Sequence, residues 1–258
     1  MTADDQKPGE TFDTLFGGQV SLVQRRSGYR FTSDTVLLAY ASLSARGSVI
    51  DLGTGCGVIP VIVARFGAAS PVIGVEIQPD LCEMALRNVR RNRVDGKAAI
   101  VRGDIRRIRE LFGPASFDSV VSNPPYLAVA AGRINPNHEK AVAKHEVLCR
   151  IEDVLSAAKY LLRDRGVLRL VYPNMRLVDL IIQMGRRGFQ PKYMRFVHDR
   201  ADGPSKVCLV EAAKGSRAQA EIGPPVIFRD AAGNPTEEYR RIFGPQETAH
   251  DSRLTTQD

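Results

Sequence analysis

Ser48-Val-Ile-Asp51-Leu-Gly53-Thr-Gly55-Cys-Gly57 runs directly into Val58-Ile-Pro-Val-Ile-Val63, and the reading of this stretch decides the fold. It describes a short apolar strand, a glycine loop and the start of a helix. Glycines let the main chain come close to a ligand, and the N–H groups of a first helical turn favour a carboxylate or phosphate there. In the dinucleotide fingerprint G-x-G-x-x-G, counted from Gly53, the last glycine position is taken by Val58, so a pyrophosphate departs from the pattern. An adenosine ligand without a pyrophosphate fits better. Downstream, Val72 to Val75 reads as a second buried strand ending in Glu76, whose carboxylate can accept both hydroxyls of a ribose. Ala98 to Val101 reads as a third, ending near Asp104, which can accept an adenine amino group, and Phe117 to Ser122 as a fourth, ending at Asn123. The ends of parallel strands line one edge of a sheet, where ligands bind, so Asp51, Glu76, Asp104 and Asn123 are expected together.

The fourth strand leads into Asn123-Pro124-Pro125-Tyr126. Neither proline has an N–H, so the turn offers carbonyls and the Asn123 side chain but almost no main-chain donors. Asn123 and Pro124 each precede a proline, which keeps both out of the helical region and holds the turn extended. Such a surface suits a ligand that donates through an NH2 group on a planar ring, with Tyr126 covering a flat face. Taken alone, Pro-Pro is an ordinary strand-to-loop turn. The glycine loop earlier in the chain favours the functional reading.

A chain of 258 residues with ordinary apolar content can bury one sizeable α/β core. No window approaches the roughly 18 apolar residues that span a bilayer, and Met1 to Glu10 lacks the apolar segment of a signal peptide. Cys56, Cys82, Cys149 and Cys208 are far apart and show no C-x-x-C spacing, which suggests neither zinc nor a disulfide framework and makes the cytosol the expected location. Cys56, although in the glycine loop, reads as a small packing residue. The net charge is +7, and its placement says more than its sum. Nine Lys and Arg residues fall between Arg87 and Arg109 and nine more between Arg163 and Arg200. Each cluster reads equally as phosphate-neutralising or as a solvated helix face; beside a site for a base amine, nucleic acid is the better reading.

Along the chain, Phe12 to Phe31 reads as a short hairpin, and Thr32 or Ser33 can cap a helix carrying Val36 to Leu43. Pro79 and Asp80 start another helix, and a third is spaced from Val147 to Leu162. Between Tyr126 and that helix lies a loop, Ala130 to Lys144, long enough to suggest a substrate-facing role or disorder. Gly166 to Tyr172 reads as a strand, Met175 to Met184 as a helix, and Tyr193 to His198 with Val207 to Val210 as an antiparallel pair. The expected division is an N-terminal hairpin and helix over 1–44, one catalytic domain over 45–244, and a polar, disordered tail over 245–258.

These features resemble the class I S-adenosylmethionine-dependent methyltransferases that carry N-P-P-Y and methylate amino groups. Within that group the chain is most similar to the bacterial tRNA(Val) adenine-N6 methyltransferase family, over roughly Phe12 to Phe243. The likeness is carried by Gly28-Tyr-Arg-Phe-Thr-Ser-Asp34-Thr-Val-Leu-Leu38, by Asp51 to Gly57, by Asn123 to Tyr126, by His138 to Glu146 and by Pro224-Pro-Val-Ile-Phe228. It implies an α/β, Rossmann-like fold with a seven-stranded, mostly parallel sheet and an antiparallel edge strand. It also implies S-adenosylmethionine as cofactor, with Gly53 and Gly55 near its methionine portion, Glu76 on the ribose, Asp104 at the adenine, and Ile77 and Ile105 beside them. Asp51 belongs to this set but can equally brace the glycine loop by accepting N–H groups. Asp34 matches a position near the methionine and equally reads as a helix N-terminal acid that complements the dipole.

Asn123, Pro124 and Tyr126 are the implied catalytic residues. The Asn123 oxygen and the Pro124 carbonyl would accept the two N–H bonds of adenine's exocyclic amine, and Tyr126 would stack on the base, with Asn123 bordering the cofactor as well. His145 and Glu146 read as RNA contacts or as a surface pair. No metal is called for, and the implied partner is tRNA, held through the clusters at 87–109 and 163–200. A glutamine-N5 methyltransferase of release factors is the alternative enzyme, although such enzymes usually carry a longer helical N-terminal domain than the roughly fifty residues found here. Base amines of rRNA or DNA stay open too. A non-catalytic RNA-binding protein retaining the fold is the reading from another class, and the intact site residues argue against it.

Overall fold

The computed structural model describes residues 7–27, 30–124, 149–216 and 219–244. Gly28, Pro125, Tyr126, the loop at 130–144, His138, His145, Glu146 and the tail at 245–258 lie outside the described residues. The chain forms β1 (Glu10–Leu15), β2 (Val20–Arg25), α1 (Ser33–Ala41), β3 (Val49–Leu52), α2 (Val58–Phe66), β4 (Val72–Glu76), α3 (Pro79–Arg91), β5 (Ala98–Arg102) and β6 (Phe117–Ser122). After the undescribed segment follow α4 (Ile151–Leu161), β7 (Leu162–Pro173), α5 (Leu177–Arg186), β8 (Phe189–Arg200), β9 (Ser205–Lys214), β10 (Glu221–Ile222), β11 (Val226–Arg229) and α6 (Glu237–Phe243).

Seven strands make the body of the sheet, the number the family resemblance implies, in the order β5-β4-β3-β6-β7-β9-β8, and β10 and β11 both add to β8. From β3 to β7 all strands are parallel; β9 runs against both β7 and β8, so the reversed strand sits one place in from the margin. The short strands β10 and β11, of two and four residues around Gly223-Pro-Pro225, and the helix α6 are additions that the sequence reading did not foresee. Two- and four-residue strands are too short for alternation to register.

The inner strands are apolar along nearly their whole length because helices cover both faces. Val49, Val72 and Val121 belong to a core shared with α1, α2 and the hairpin. Ile50, Leu52, Val75 and Val120 belong to a second core, under α4 and α5. Since side chains alternate along a strand, Asp51 shares the face of Val49, and Glu76 that of Val72. Both carboxylates therefore sit on the α1–α2 face.

The hairpin is fastened to the domain by two asparagines four residues apart, Asn88 on α3 and Asn92 just past its end. Asn88 accepts from the Val23 N–H at 2.7 Å and donates to the Val23 carbonyl at 2.9 Å and to the Cys56 carbonyl at 2.8 Å. Asn92 does the same for Ser21, accepting from its N–H at 2.9 Å and donating to its carbonyl at 2.8 Å. Four residues of helix rise about 6 Å and two residues of strand about 6.7 Å, so the helix can serve alternate residues of the strand edge. Arg91 adds a bond to the Ser21 hydroxyl and lies over the Phe12 ring, and Arg87 pairs with the buried Glu10. Replacing Asn88 by alanine strands three buried main-chain groups, each costing about 1–3 kcal/mol when unpaired. Asn88→Ala is expected to lower the unfolding free energy by about 3 kcal/mol or more in urea titration; a loss below about 1 kcal/mol would mean that water replaces the amide.

Candidate active site

The glycine loop between β3 and α2 is held by the strand beside it. The N–H groups of Gly53 and Thr54 both donate to the Val75 carbonyl at 3.0 Å, and the Gly55 N–H donates to Glu76 Oε2 at 2.9 Å. Glu76 Oε1 accepts from the Gln78 N–H at 2.9 Å, and the Glu76 carbonyl accepts from the Gly103 N–H at 2.9 Å. One residue thus joins the loops that follow β3, β4 and β5. Burial raises the Glu76 carboxyl above its ordinary value, opposed by the N–H groups of Gln78, Gly55 and Ile77.

Two glycines are required by this arrangement. Gly57, at φ +83°, is in the left-handed region, and a Cβ there would lie 3.0 Å from Ala85 Cβ and 3.2 Å from Ala85 Cα on α3. Gly74 in β4 lies under Thr54, whose Oγ1 would be 2.8 Å from an added Cβ. Gly53, also at positive φ, is exposed and has open space where a Cβ would be. Beneath the loop, Asp51 is buried, and Asp51 Oδ1 and Thr54 Oγ1 have no hydrogen-bond partner among the described residues. Burial pushes the Asp51 carboxyl up to about 7, with the nearby Thr54 hydroxyl opposing and the Glu76 charge adding to the rise. The bracing that the sequence offered to Asp51 is performed by Glu76, and Asp51 is left with unmet bonding capacity. Cys56 is fully enclosed and its thiol is pushed up to about 12 by burial, as suits a packing residue.

The remaining candidates are distributed as follows. Asp104 follows β5 and caps a short 3₁₀ turn, Ile105–Glu110, by accepting from the Arg106 N–H at 2.9 Å. The Arg106 guanidinium grips both of its oxygens, at 2.5–3.0 Å, and holds its carboxyl below the usual range. An adenine amine at Asp104 would share or displace that contact. Ile77 is partly exposed on the rim, whereas Ile105 is buried in the core with Leu52 and Val75. Asp34, in the first turn of α1, is partly buried; desolvation raises its carboxyl, and the Ser33 hydroxyl and Lys206 ammonium oppose the rise.

Asn123 and Pro124 stand at the end of β6. Ser122, fully buried, donates to the Leu52 carbonyl at 2.7 Å and so ties the end of β6 to the start of the glycine loop. Asn123 Nδ2 donates to Thr35 Oγ1 of α1 at 2.9 Å. Sequence reasoning passed over Thr35 although it follows Asp34. A hydroxyl on the buried side of an otherwise apolar helix was the available signal. Among the described residues no group of three or more His, Cys, Asp or Glu could hold a metal ion.

The two basic clusters do not form two patches. Arg90 and Arg93 close α3 and Lys97 precedes β5, at the sheet edge opposite Asn123, while Arg102, Arg106 and Arg107 follow β5 on the Asn123 edge. Of the second cluster, Arg163 and Arg169 pair with Asp118 and Glu211, and Arg176 and Arg200 stand on the Asn123 edge, where Arg200 also pairs with Asp202. Lys206 and Arg229, outside both clusters, join them there, since Arg229 is in register with Arg200. Counting along the chain grouped charges that the fold separates.

Comparison with known proteins places this geometry. Residues 31–181 match the family model "Methyltransferase small domain". A Porphyromonas gingivalis protein named tRNA1(Val) (adenine(37)-N6)-methyltransferase is 33% identical, the alignment covering 88% of this chain and 92% of that protein. A Proteus mirabilis protein of the same name is 26% identical, over 91% of this chain and 92% of its own. Among solved structures, a predicted O-methyltransferase from Agrobacterium tumefaciens superposes with a TM-score of 0.66 at 21% identity, covering 81% of this chain and 94% of that one. A T. thermophilus 16S rRNA methyltransferase in complex with AdoMet and guanosine gives a TM-score of 0.53 at 21% identity, covering 80% of this chain and 50% of that one. With a glycine loop after β3 and Asn123 at the end of the neighbouring β6, the chain belongs to the methyltransferase small-domain family, and within it to the family of the tRNA1(Val) (adenine(37)-N6)-methyltransferases.

Proposed function

We propose that the protein transfers a methyl group from S-adenosylmethionine to N6 of the adenine at position 37 of tRNA(Val), next to the anticodon. The observation that carries this reading is Asn123, set beside the glycine loop with its amide nitrogen bonded to Thr35, in a chain whose relative of that name is 33% identical over 88% of its length. When bound, S-adenosylmethionine supplies an electrophilic methyl group on a sulfonium. The unpartnered Asp51 Oδ1 and Thr54 Oγ1, and the open space over Gly53, fit a small polar ligand at the loop. Asp51, Gly53, Gly55 and Glu76 would hold it, with Asp104, Ile77 and Ile105 on one side and Asp34 on the other.

The amine of adenine is a poor nucleophile because its lone pair is delocalised into the ring. Asn123 Oδ1 and the Pro124 carbonyl would accept its two N–H bonds, favour a pyramidal nitrogen and aim the lone pair at the methyl. As the N–C bond forms, the S–C electron pair stays with sulfur and the amine proton leaves to water. Holding the two atoms in near-attack geometry supplies much of the acceleration. Tyr126 would stack on the base, which an anticodon loop exposes more cheaply than a duplex. Arg102, Arg107, Arg176, Arg200, Lys206 and Arg229 would meet the RNA backbone, because they share the edge that carries Asn123.

Incubation with labelled cofactor and, separately, unmodified tRNA, release factor and DNA tests the substrate class. Label on tRNA, lost when adenine 37 is replaced, is the expected result, and label confined to release factor would overturn the reading. Asn123→Ala is expected to lower kcat by about 10²–10³ with cofactor affinity nearly unchanged, since one preorganised acceptor is lost.

The charge state of Asp51 makes a separate prediction. The folded protein favours its protonated form, so this contribution to stability is complete below about pH 4 and is lost as the pH rises through about 7. In ligand-free protein, Asp51→Asn should therefore gain in Tm relative to the parent between pH 5 and pH 8. Parallel curves for the two proteins would show that Asp51 is ionised throughout.

A further inference from the structure

We infer that Thr35 is a positioning residue that holds the Asn123 side-chain amide at the substrate edge, an inference that rests on the methyltransferase reading above. A primary amide is nearly symmetric in shape. Turning it by 180° exchanges an acceptor oxygen for a two-donor nitrogen, and the terminal torsion of asparagine is too soft to prevent it. For methylation of an NH2 group the difference is decisive. With Oδ1 forward, Asn123 accepts from the amine; with Nδ2 forward, donors meet donors.

In this structure Nδ2 is turned toward Thr35, which leaves Oδ1 forward, and the Thr35 hydroxyl holds the amide there. Its Oγ1 lies 2.9 Å from Asn123 Nδ2, across 88 residues of chain, and the threonine is only 4% exposed. It sits in the first turn of α1, ahead of the fully buried Val36, Leu37, Leu38 and Ala39, so the helix has little freedom to carry the hydroxyl away. A β-branched side chain in a helix is stiff at χ1, which holds the oxygen in place. The main chain of Asn123 is pinned separately, through the bond from Ser122 to the Leu52 carbonyl. A buried hydroxyl thus contributes to holding each of the two, and the one on the amide comes from the N-terminal segment. The N-terminal helix is then part of the transfer site as well as packing.

A threonine that merely satisfied its own hydroxyl would affect stability alone. A positioning residue affects turnover and leaves binding intact. Thr35→Val, nearly isosteric, is expected to lower kcat by about 10- to 100-fold while the KM for tRNA and the Kd for S-adenosylmethionine stay within about threefold. Thr35→Ser, which keeps the hydroxyl, should restore most of the rate. In an Asn123→Ala background the valine substitution should add little, since the group it orients is gone. Parental kcat in Thr35→Val, or an equal loss in both backgrounds, overturns the inference and leaves the tRNA reading standing. Wild-type protein that labels no tRNA overturns the reading and the inference with it. If Thr35→Val is too unstable to assay, the Asn123 side-chain amide signals of wild-type protein decide by NMR. An NH2 group protected from exchange supports the contact, and one exchanging freely in the folded state refutes it.

Discussion

The buried carboxylate of Glu76 accepting from the Gly55 N–H is the contact on which the rest of the site depends. Glycine loops tolerate many conformations, and a loop free to choose among them would present no fixed surface to a ligand. Here the Glu76 carboxylate selects one conformation. Because its other oxygen takes the first N–H before α3, and its carbonyl takes the Gly103 N–H after β5, three loops move together or not at all. The sheet contributes the spacing: parallel neighbours bring these strand ends side by side, and β6 brings Asn123 to the other flank of β3. The cost is a charge in a closed environment, which the N–H donors offset only in part, as the raised Glu76 carboxyl indicates.

That constraint explains which parts of the site were legible in the sequence. The strands at Val49 and Val72 announced themselves because burial on both faces demands apolar runs, whereas the one at Ala98, legible as apolar, is a half-exposed edge strand. The acids at their ends were equally visible, since a charge after such a run has only the sheet edge to occupy. The division of labour between Asp51 and Glu76 was not visible, because both are acids at strand ends and only the path of the loop decides which one meets N–H groups. Asn88 and Asn92 were hidden for a related reason. A polar residue on the buried stripe of a helix looks like noise until the strand edge it serves has a position. The basic clusters erred the other way, since nearness in sequence across a helix and a strand spans the full height of the sheet.

The N-terminal segment gains its importance from the same set of contacts. The hairpin is joined to α3 by the two asparagines, and Asn88 also holds the Cys56 carbonyl, so the far side of the glycine loop is fixed by the element that fixes the hairpin. Next in the chain comes α1, packed on α2 and carrying Asp34 and Thr35 to the catalytic edge. A segment that reads from sequence as an appendage is therefore in contact with both halves of the site, the cofactor loop through α3 and the N-P-P-Y turn through α1.

Selectivity for an amine follows from the removal of donors. Pro124 and Pro125 have no N–H to offer, and one N–H of the Asn123 amide is given to Thr35. Under the proposed reading, such a sequence would offer a substrate mainly carbonyl-type oxygens. A hydroxyl can satisfy one such acceptor but an NH2 group satisfies two at once, and a ring nitrogen without hydrogen satisfies none. With a donor-poor sequence on one side and a glycine loop that would hold the methyl donor on the other, the proposed site would favour a nitrogen that brings its own two protons. On the proposed reading, the choice among such nitrogens would fall to the cations along the same edge, which a nucleic acid can use and a glutamine side chain cannot.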